Sequence, residues 1–253
     1  MQIVGVVGLD AAGDIGATAS RATQLMAEGA DLVDVDGTAS GLQQLDIRRT
    51  ARLVRRLVDQ GVPVGVTTTS ADMVVGVVDA GARVVFDPSG GVFDLFMPRI
   101  VAAAGVRYVV GQSVARDRVL RPATPWEFRD LAMHRVRTLL DAGVRPDLVV
   151  LDAGVGQLLQ GDQEWPIFDH LQNLAGFGYQ VFVDASWPAL FRAEARSPEP
   201  LGSSDDDETA IGVCVAAACT NAWGVRVSNV ARAAAVLSGR PAHSRHGTGA
   251  RTR

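Results

Sequence analysis

The chain has 253 residues, 47% of them hydrophobic, and a formal net charge of −4 at pH 7. This acidic balance argues against a nucleic-acid-binding surface, which needs clustered basic residues to neutralise phosphates. All 24 basic residues are arginine, so a lysine Schiff base, a lysine phosphate anchor and a lysine general base are excluded.

Cysteine use and the start of the chain predict a cytoplasmic protein. Cys214 and Cys219 lie five residues apart in one Ala-rich segment, a spacing that points them to different faces of a helix and disfavours a disulfide. Buried, reduced cysteines are typical of cytoplasmic proteins. No signal peptide precedes the first apolar run, and no apolar run reaches the roughly 18 residues of a membrane span, so we expect no membrane association.

Short apolar runs recur along the chain, and most of them end in a polar residue beside a glycine. Near-continuous Val-rich runs are typical of strands that are buried on both faces, as in parallel sheets. In chain order the runs are Val4 to Gly8, Asp31 to Gly37, Val62 to Thr67, Arg83 to Asp87, Val106 to Gln112, Leu148 to Asp152, Tyr179 to Asp184 and Trp223 to Ser228.

Each apolar run is followed by a segment with helical periodicity. Serine before a segment and glycine after it are typical of helix caps. The predicted helices are Ala17 to Gly29, Gln43 to Gly61, Ser70 to Gly81, Asp94 to Gly105, Pro125 to Gly143, Gln163 to Gly178, Asp205 to Asn221 and Val230 to Gly239.

Strict alternation of strands and helices predicts a parallel sheet with right-handed crossovers. Eight such units predict an α/β fold of the (β/α)8 TIM-barrel type, a single domain over residues 1–239. The alternative is an open doubly wound sheet, but Gly8 to Gly13 lacks the glycine spacing of its phosphate-binding fingerprint. The polar, arginine-rich residues 240–253 are predicted to form a disordered basic tail.

A parallel barrel gathers the carboxyl ends of its strands into one mouth, where barrel enzymes place their sites. A mouth with several carboxylates needs a cation, a protonated member or a donor-rich ligand to offset their repulsion. Arg226 is the cation among the strand ends, and it either pairs structurally with Asp184 or Asp152 or binds a ligand. The residues expected there are Asp36, Thr67, Asp87, Gln112, Asp152, Asp184, Ser186, Arg226 and Ser228, with Trp187 in the loop that follows.

The sequence resembles the dihydropteroate synthases. The resemblance rests on motifs in the same order and spacing from the first strand to the last helix: Asp31 to Gly37, Gly81 to Gly91, Val149 to Gly156, Asp184-Ala-Ser186 and Trp223 to Val230. It implies a (β/α)8 barrel whose members join a pterin pyrophosphate to p-aminobenzoate with Mg2+ on the pyrophosphate.

Carried over position by position, the resemblance retains only part of the family's site. Asp152 on strand 6 and Arg226 on strand 8 match. Thr67 stands where the family has an aspartate on strand 3, Phe86 where it has an asparagine on strand 4, and Ser228 where it has a histidine. The family's lysines after strands 6 and 7 are replaced by Gln157-Leu-Leu159 and Ser186-Trp-Pro188. The resemblance therefore implies a pterin pocket lined by Asp87, Asp152, Ser186 and Arg226.

These substitutions remove a pterin-binding carboxylate and cations that the departing pyrophosphate needs. Arg116, Arg118 or Arg121, after strand 5, are the alternative cations, although nothing in the sequence positions them. The leading hypothesis is a pterin-binding relative that has lost the synthase reaction or retains it very weakly. An active synthase with a rebuilt site is the first alternative.

An unrelated cation-dependent activity that uses Asp36, Asp87, Asp152 and Asp184 is the second alternative. No cofactor is required by the residues, and Mg2+ is implied only if synthase activity persists. The expected partner is a small molecule. The resemblance also suggests a homodimer through the last helices, where the Ala-rich Ile211 to Cys219 packs closely.

Overall fold

The computed structural model describes residues 1–8, 14–37, 46–112, 125–155, 167–186 and 203–239. Strands and helices alternate along the chain as predicted. The strands are β1 (Gln2–Gly8), β2 (Leu32–Asp36), β3 (Val64–Thr67), β4 (Val84–Asp87), β5 (Arg107–Val110), β6 (Val149–Asp152), β7 (Gln180–Asp184) and β8 (Gly224–Val227). The helices are α1 (Ile15–Glu28), α2 (Ile47–Asp59), α3 (Ala71–Asp79), α4 (Met97–Ala104), α5 (Pro125–Asp141), α6 (Ile167–Ala175), α7 (Ser203–Cys219) and α8 (Val230–Leu237).

The strands form a closed barrel in which every neighbouring pair is parallel, in the order β1 to β8. Closure is completed by β8 against β1, where Arg226 is in register with Val4. The predicted (β/α)8 barrel is therefore confirmed, and the open-sheet alternative is wrong. The expected end of the domain at residue 239 stays a prediction, and the 240–253 segment lies outside the described residues.

Local sequence signals explain where the helices begin and end. The Asp14 carboxylate accepts from the Gly16 amide ahead of α1, and the Ser70 hydroxyl accepts from the Met73 amide ahead of α3. These bonds satisfy backbone donors that a first helical turn leaves without partners. Gly29 ends α1 with φ 108°, a left-handed conformation that an L side chain rarely adopts.

Two apolar layers hold the barrel. The larger layer packs the outward side chains of the strands, such as Val35 and Val183, against the helices, with Leu53 of α2 as an example from the helical side. A smaller cluster fills the barrel interior and consists of Val4, Leu32, Val84, Phe86, Val109, Val150, Phe182 and Trp223. Because side chains alternate along a strand, the interior positions above this cluster are the ones that reach the mouth.

Gly65 on β3 makes room for an aromatic ring inside the barrel. A Cβ added at Gly65 would lie 2.6 Å from Cε2 of Phe86. Phe86 is 3% exposed and belongs to the interior cluster. The small residue on β3 and the large one on β4 therefore fill one space between them, as layers of a barrel interior require.

No helix among the described residues is long and apolar enough to cross a membrane.

We expect Gly65→Ala to destabilise the fold by about 1–3 kcal/mol, because the added methyl group overpacks the barrel interior against Phe86. Urea denaturation followed by circular dichroism measures the change in the free energy of unfolding.

The matched control is Gly212→Ala in α7, where a Cβ meets nothing within 4 Å. A mid-helix glycine replaced by alanine is expected to stabilise the protein by about 0.5–1 kcal/mol. Equal effects of the two substitutions would contradict the packing of Phe86 over Gly65.

Candidate functional site

A buried ionic cluster lies at the carboxyl end of the barrel, centred on Arg226 of β8. Its Nη1 donates to Oδ2 of Asp34 on β2 at 2.6 Å and to the Thr67 hydroxyl on β3 at 3.0 Å. Its Nη2 donates to Oδ2 of Asp184 on β7. The Thr67 hydroxyl in turn donates to Asp34 at 2.7 Å. One guanidinium therefore joins strands from both sides of the barrel.

Aromatic rings lie beside this guanidinium. The Cζ atom of Arg226 is 5.6 Å from the ring centroid of Phe86 and 5.7 Å from that of Phe182, distances at which a cation is attracted to a ring face. The two ring centroids are 5.0 Å apart. Arg226 thus lies between carboxylates and the apolar interior, and this environment fixes its orientation.

Burial and ion pairing act in opposite directions on the two carboxylates. Burial raises the pKa of Asp34 above its usual range, and this effect outweighs the bonds from Arg226 and Thr67. Burial also acts to raise the pKa of Asp184, but Arg226 and Ser186 together hold that pKa below its usual range. The pKa of Arg226 is raised well above its usual value, because the two carboxylates more than offset its own burial.

Asp152, at the end of β6, is a mouth carboxylate held by a backbone amide. Its Oδ1 accepts from the Gly154 amide at 2.8 Å, and the side chain remains partly exposed. Burial raises the pKa of Asp152 to about 6, with the Asp184 charge acting in the same direction and Arg226 opposing it. At neutral pH Asp152 is therefore an ionised acceptor at the mouth.

His170 of α6 braces the turn that follows Asp152. Its Nε2 lies 2.9 Å from the carbonyl oxygen of Ala153, and its ring meets Phe128 edge to face with centroids 4.8 Å apart. Burial lowers the pKa of His170, so the ring is neutral and donates to this carbonyl. The imidazole therefore supports the β6 end from the helix side of the sheet.

Asp87 faces the helices, on the other side of the sheet from the ionic cluster. Its oxygens accept from the amide and hydroxyl of Ser89 at 2.8 and 2.7 Å, from the Gly91 amide at 2.8 Å and from the Tyr108 hydroxyl at 2.5 Å. Arg135 of α5 binds the Ser89 and Gly111 carbonyl oxygens nearby. Asp87 therefore organises the loop after β4, and the structure does not bring it together with Arg226, contrary to the sequence expectation.

The other predicted mouth residues have different surroundings. Ser186 donates its hydroxyl to Asp184 at 2.7 Å, and Asp36 is close enough to Asp34 to raise that residue's pKa. Gln112 is fully buried and its amide nitrogen donates to the Val110 carbonyl oxygen at 3.4 Å. Ser228 follows β8 and is exposed, whereas Trp187 lies outside the described residues.

Asp34 is the functional residue that the sequence reading missed. The Asp34-Val-Asp36 pattern drew attention to the last aspartate, but both point into the barrel because they are two residues apart on one strand. Fully buried aspartates are rare unless they are paired. An aspartate within a buried strand therefore needs a cationic partner, and Arg226 on another strand is the residue in the sequence that could have indicated this role for Asp34.

A metal site is not formed by the described residues: they contain no group of three or more His, Cys, Asp or Glu side chains arranged to hold an ion. Two of the mouth carboxylates, Asp34 and Asp184, are instead bridged by the Arg226 guanidinium.

Comparison with known proteins agrees with this fold. A family model described as pterin binding enzyme matches residues 9–228, so the barrel falls in the class of pterin-binding enzymes. The chain is 35% identical over 224 residues to the dihydropteroate synthase of Mycobacterium leprae, covering 81% of this chain and 78% of that enzyme. It is 26% identical over 173 residues to the dihydropteroate synthase of Bacillus subtilis, covering 66% of this chain and 60% of that enzyme.

Solved structures share the fold. A Xanthomonas albilineans dihydropteroate synthase in complex with 7,8-dihydropteroate superposes with a TM-score of 0.79 at 21% identity, covering 94% of this chain and 92% of that one. A Yersinia pestis synthase with a pterine-sulfa conjugate gives a TM-score of 0.80 at 18% identity, covering 94% and 93%. The chain belongs to the dihydropteroate synthase family.

We expect Arg226→Met to destabilise the fold by about 3–5 kcal/mol at neutral pH, because it leaves two buried carboxylates without their counter-ion. Without Arg226 the folded-state pKa values of Asp34 and Asp184 lie above their unfolded values. The loss of stability is therefore greatest at pH 8 and smaller at pH 5. Urea denaturation at the two pH values measures it.

Arg145→Met is the control, since Arg145 pairs with Asp147 on the surface and such pairs contribute little to stability. A pH-independent loss for Arg226→Met would be inconsistent with the ionic cluster.

Proposed function

We propose that this protein binds a pterin-type ligand at the barrel mouth and has lost the synthase reaction or retains it only very weakly. The observation that carries the proposal is the bonding of Arg226. Both of its terminal nitrogens already donate to side chains of the protein, namely Asp34, Thr67 and Asp184. A guanidinium held in this way is poorly placed to stabilise the charge of a departing pyrophosphate.

Retained ligand binding is supported by Asp152. Its Oδ1 accepts only from a backbone amide among the described residues, so the carboxylate is available to the amino and ring N–H groups of a pterin. The family membership of the chain supports the same ligand class. The resemblance of Asp152 and Arg226 to family positions points in the same direction.

Loss of the reaction is supported by the groups that surround this acceptor. The Thr67 hydroxyl replaces a carboxylate and is itself engaged with Asp34. By the family resemblance, Phe86 places a buried apolar ring at a position where the family has an asparagine. A site that hydrogen-bonds its substrate loses affinity and rate sharply when such partners are absent.

An active synthase is the second candidate, favoured by the 35% identity to the M. leprae enzyme. Mg2+ would belong to that reaction, but the described His, Cys, Asp and Glu side chains form no group of three or more that could hold it. The cation-dependent alternative finds no support in the described residues for the same reason.

We also propose a cytoplasmic location for this protein.

A homodimer through α7 is a further proposal. Val215 on this helix is 43% exposed, as expected of an apolar residue at an interface. Sedimentation velocity of the wild type and of Val215→Glu would test the dimer, because a buried charge opposes association.

Synthase activity is the first test of the proposal. Purified protein incubated with 6-hydroxymethyl-7,8-dihydropterin pyrophosphate, labelled p-aminobenzoate and Mg2+ is expected to form product at least about a thousandfold more slowly than an active synthase, because transition-state donors are missing. The M. leprae dihydropteroate synthase, assayed beside it, is the positive control. A rate within tenfold of that enzyme would establish the second candidate.

Ligand binding is the second test. Asp152→Asn is expected to weaken binding of 6-hydroxymethylpterin by about tenfold or more, because one acceptor oxygen becomes an amide donor. Wild-type affinity should fall as the pH drops through about 6, where Asp152 takes up a proton. Isothermal titration calorimetry between pH 5 and 8 measures both effects.

Asp147→Asn, an exposed carboxylate paired with Arg145, is the matched control and should leave binding unchanged. A pH-independent affinity, or an Asp152→Asn variant that binds normally, would place the ligand elsewhere.

A further inference from the structure

The outward side of α2 carries a set of arginines. The buried side of this helix packs into the barrel, and the arginines lie opposite it, because residues three and four apart share one face of a helix. These residues form the arginine face of α2. They are Arg48, Arg49, Arg52, Arg55 and Arg56, all exposed except the half-buried Arg49.

The arginine face is unfavourable for the helix itself. Arg48 and Arg49 lie in the first turn, which has no acidic residue, although the helix dipole disfavours cations there. Arg52 lies four residues from Arg48 and from Arg56, a spacing at which like charges repel. A helix face that serves only solvation is stabilised by opposite charges at this spacing. The stability of α2 therefore does not explain why these charges are all positive.

The guanidinium groups of this face are available to a partner. In the described part of the chain, the side chains of Arg48, Arg52 and Arg56 form no hydrogen bond or ion pair. Arg55 donates from Nη2 to the carbonyl oxygen of Asp79, at the end of α3. This bond holds the Arg55 guanidinium between the two helices.

An apolar cleft adjoins the carboxyl end of the arginine face. It has a volume of about 100 Å3 and is lined by Val58, Gly61, Val62, Pro63, Val64, Gly81 and Arg83. Val58 is one helical turn beyond Arg55. Gly81 follows Asp79 by two residues, so the cleft lies beside the bound Arg55 guanidinium. Arg83, which is exposed, adds a cation to the lining. An apolar pocket within a charged rim is typical of a docking surface.

We propose that the arginine face of α2 and this cleft dock an acidic segment of a partner protein. Carboxylates of the segment pair with Arg48, Arg52 and Arg56, since a guanidinium matches a carboxylate with two parallel hydrogen bonds. An apolar side chain of the same segment occupies the cleft. Binding removes the repulsion among the arginines, and this relief contributes to the affinity.

The charge of the rest of the protein favours an acidic protein segment over a nucleic acid. Ile47–Asp59 holds five of the 24 basic and one of the 28 acidic residues, which leaves 19 basic and 27 acidic residues and a net charge of −8 elsewhere. A helix of 13 residues is about 20 Å long. A nucleic-acid duplex would extend beyond it over an acidic protein, whereas a short acidic segment contacts the arginines alone.

The experiment follows the fluorescence anisotropy of a labelled peptide, (Glu-Glu-Leu)5, as the full chain is added. Saturable binding is expected, and the affinity should fall as the ionic strength rises, because salt screens ion pairs on an exposed surface. The uncharged (Gln-Gln-Leu)5 should bind at least about tenfold more weakly. The leucine-free (Glu-Glu-Gln)5 should bind severalfold more weakly, because it leaves the cleft empty. Absence of saturable binding of (Glu-Glu-Leu)5, or equal binding of all three peptides, would overturn the inference.

Charge-reversal variants test whether the peptide binds at α2. The double variant Arg52→Glu, Arg56→Glu is expected to weaken binding by about tenfold or more, because two attractive pairs become repulsive. The double variant Arg99→Glu, Arg137→Glu makes the same change of charge at exposed positions of α4 and α5 and is the matched control. An equal loss in both variants would mean that only overall charge attracts the peptide, and the proposed surface would be wrong.

Thermal unfolding distinguishes a docking role from a structural one. Arg52→Glu is expected to raise the Tm by about 1–3 °C, since it replaces repulsion from Arg48 and Arg56 with attraction. A lower Tm would assign the arginine face to the fold and contradict the proposal. Tighter binding of a short DNA duplex than of (Glu-Glu-Leu)5, lost in the α2 double variant, would assign the face to a nucleic acid instead.

Discussion

Arg226 donates from one terminal nitrogen to Asp34 on β2 and from the other to Asp184 on β7, and the carboxyl end of the barrel is arranged around this bond pair. The guanidinium forms ion pairs with two buried carboxylates, orders the Thr67 hydroxyl and lies against the Phe86 ring. Removing a charge from such a cluster is costly because its partner stays buried. The same arrangement that stabilises the mouth thus restricts what Arg226 offers to a ligand.

The architecture was predictable because the signals that specify it are local and repeated. Val-rich runs such as Leu148 to Asp152 alternate with amphipathic segments, and many of the boundaries carry a cap or a glycine. Eight repetitions leave closure as the simplest way to pair the outer strands. Arg226 was correctly expected to lie beside Asp184, because adjacent strands β7 and β8 bring their ends together.

The candidate site was less predictable, because it depends on which face of a strand a residue occupies and on partners far away in the chain. Asp87 ends a strand as Asp184 does. However, Asp87 is next to Phe86, whose side chain points into the barrel, so the Asp87 side chain points outward to the helices and to Tyr108. Asp34 has its partner 192 residues away, beyond any periodicity. The roles of Gln112 and Ser228 in binding stay predictions.

The contact between Gly65 and the Phe86 ring has a consequence for how this mouth can change over evolutionary time. Replacing Phe86 with a smaller residue opens a void beside Gly65, and placing an aspartate at Thr67 adds a third carboxylate to a guanidinium that already has two. Neighbouring positions of this kind do not change independently. A substitution at Phe86 or Thr67 therefore requires a compensating change at the residues that pack against it.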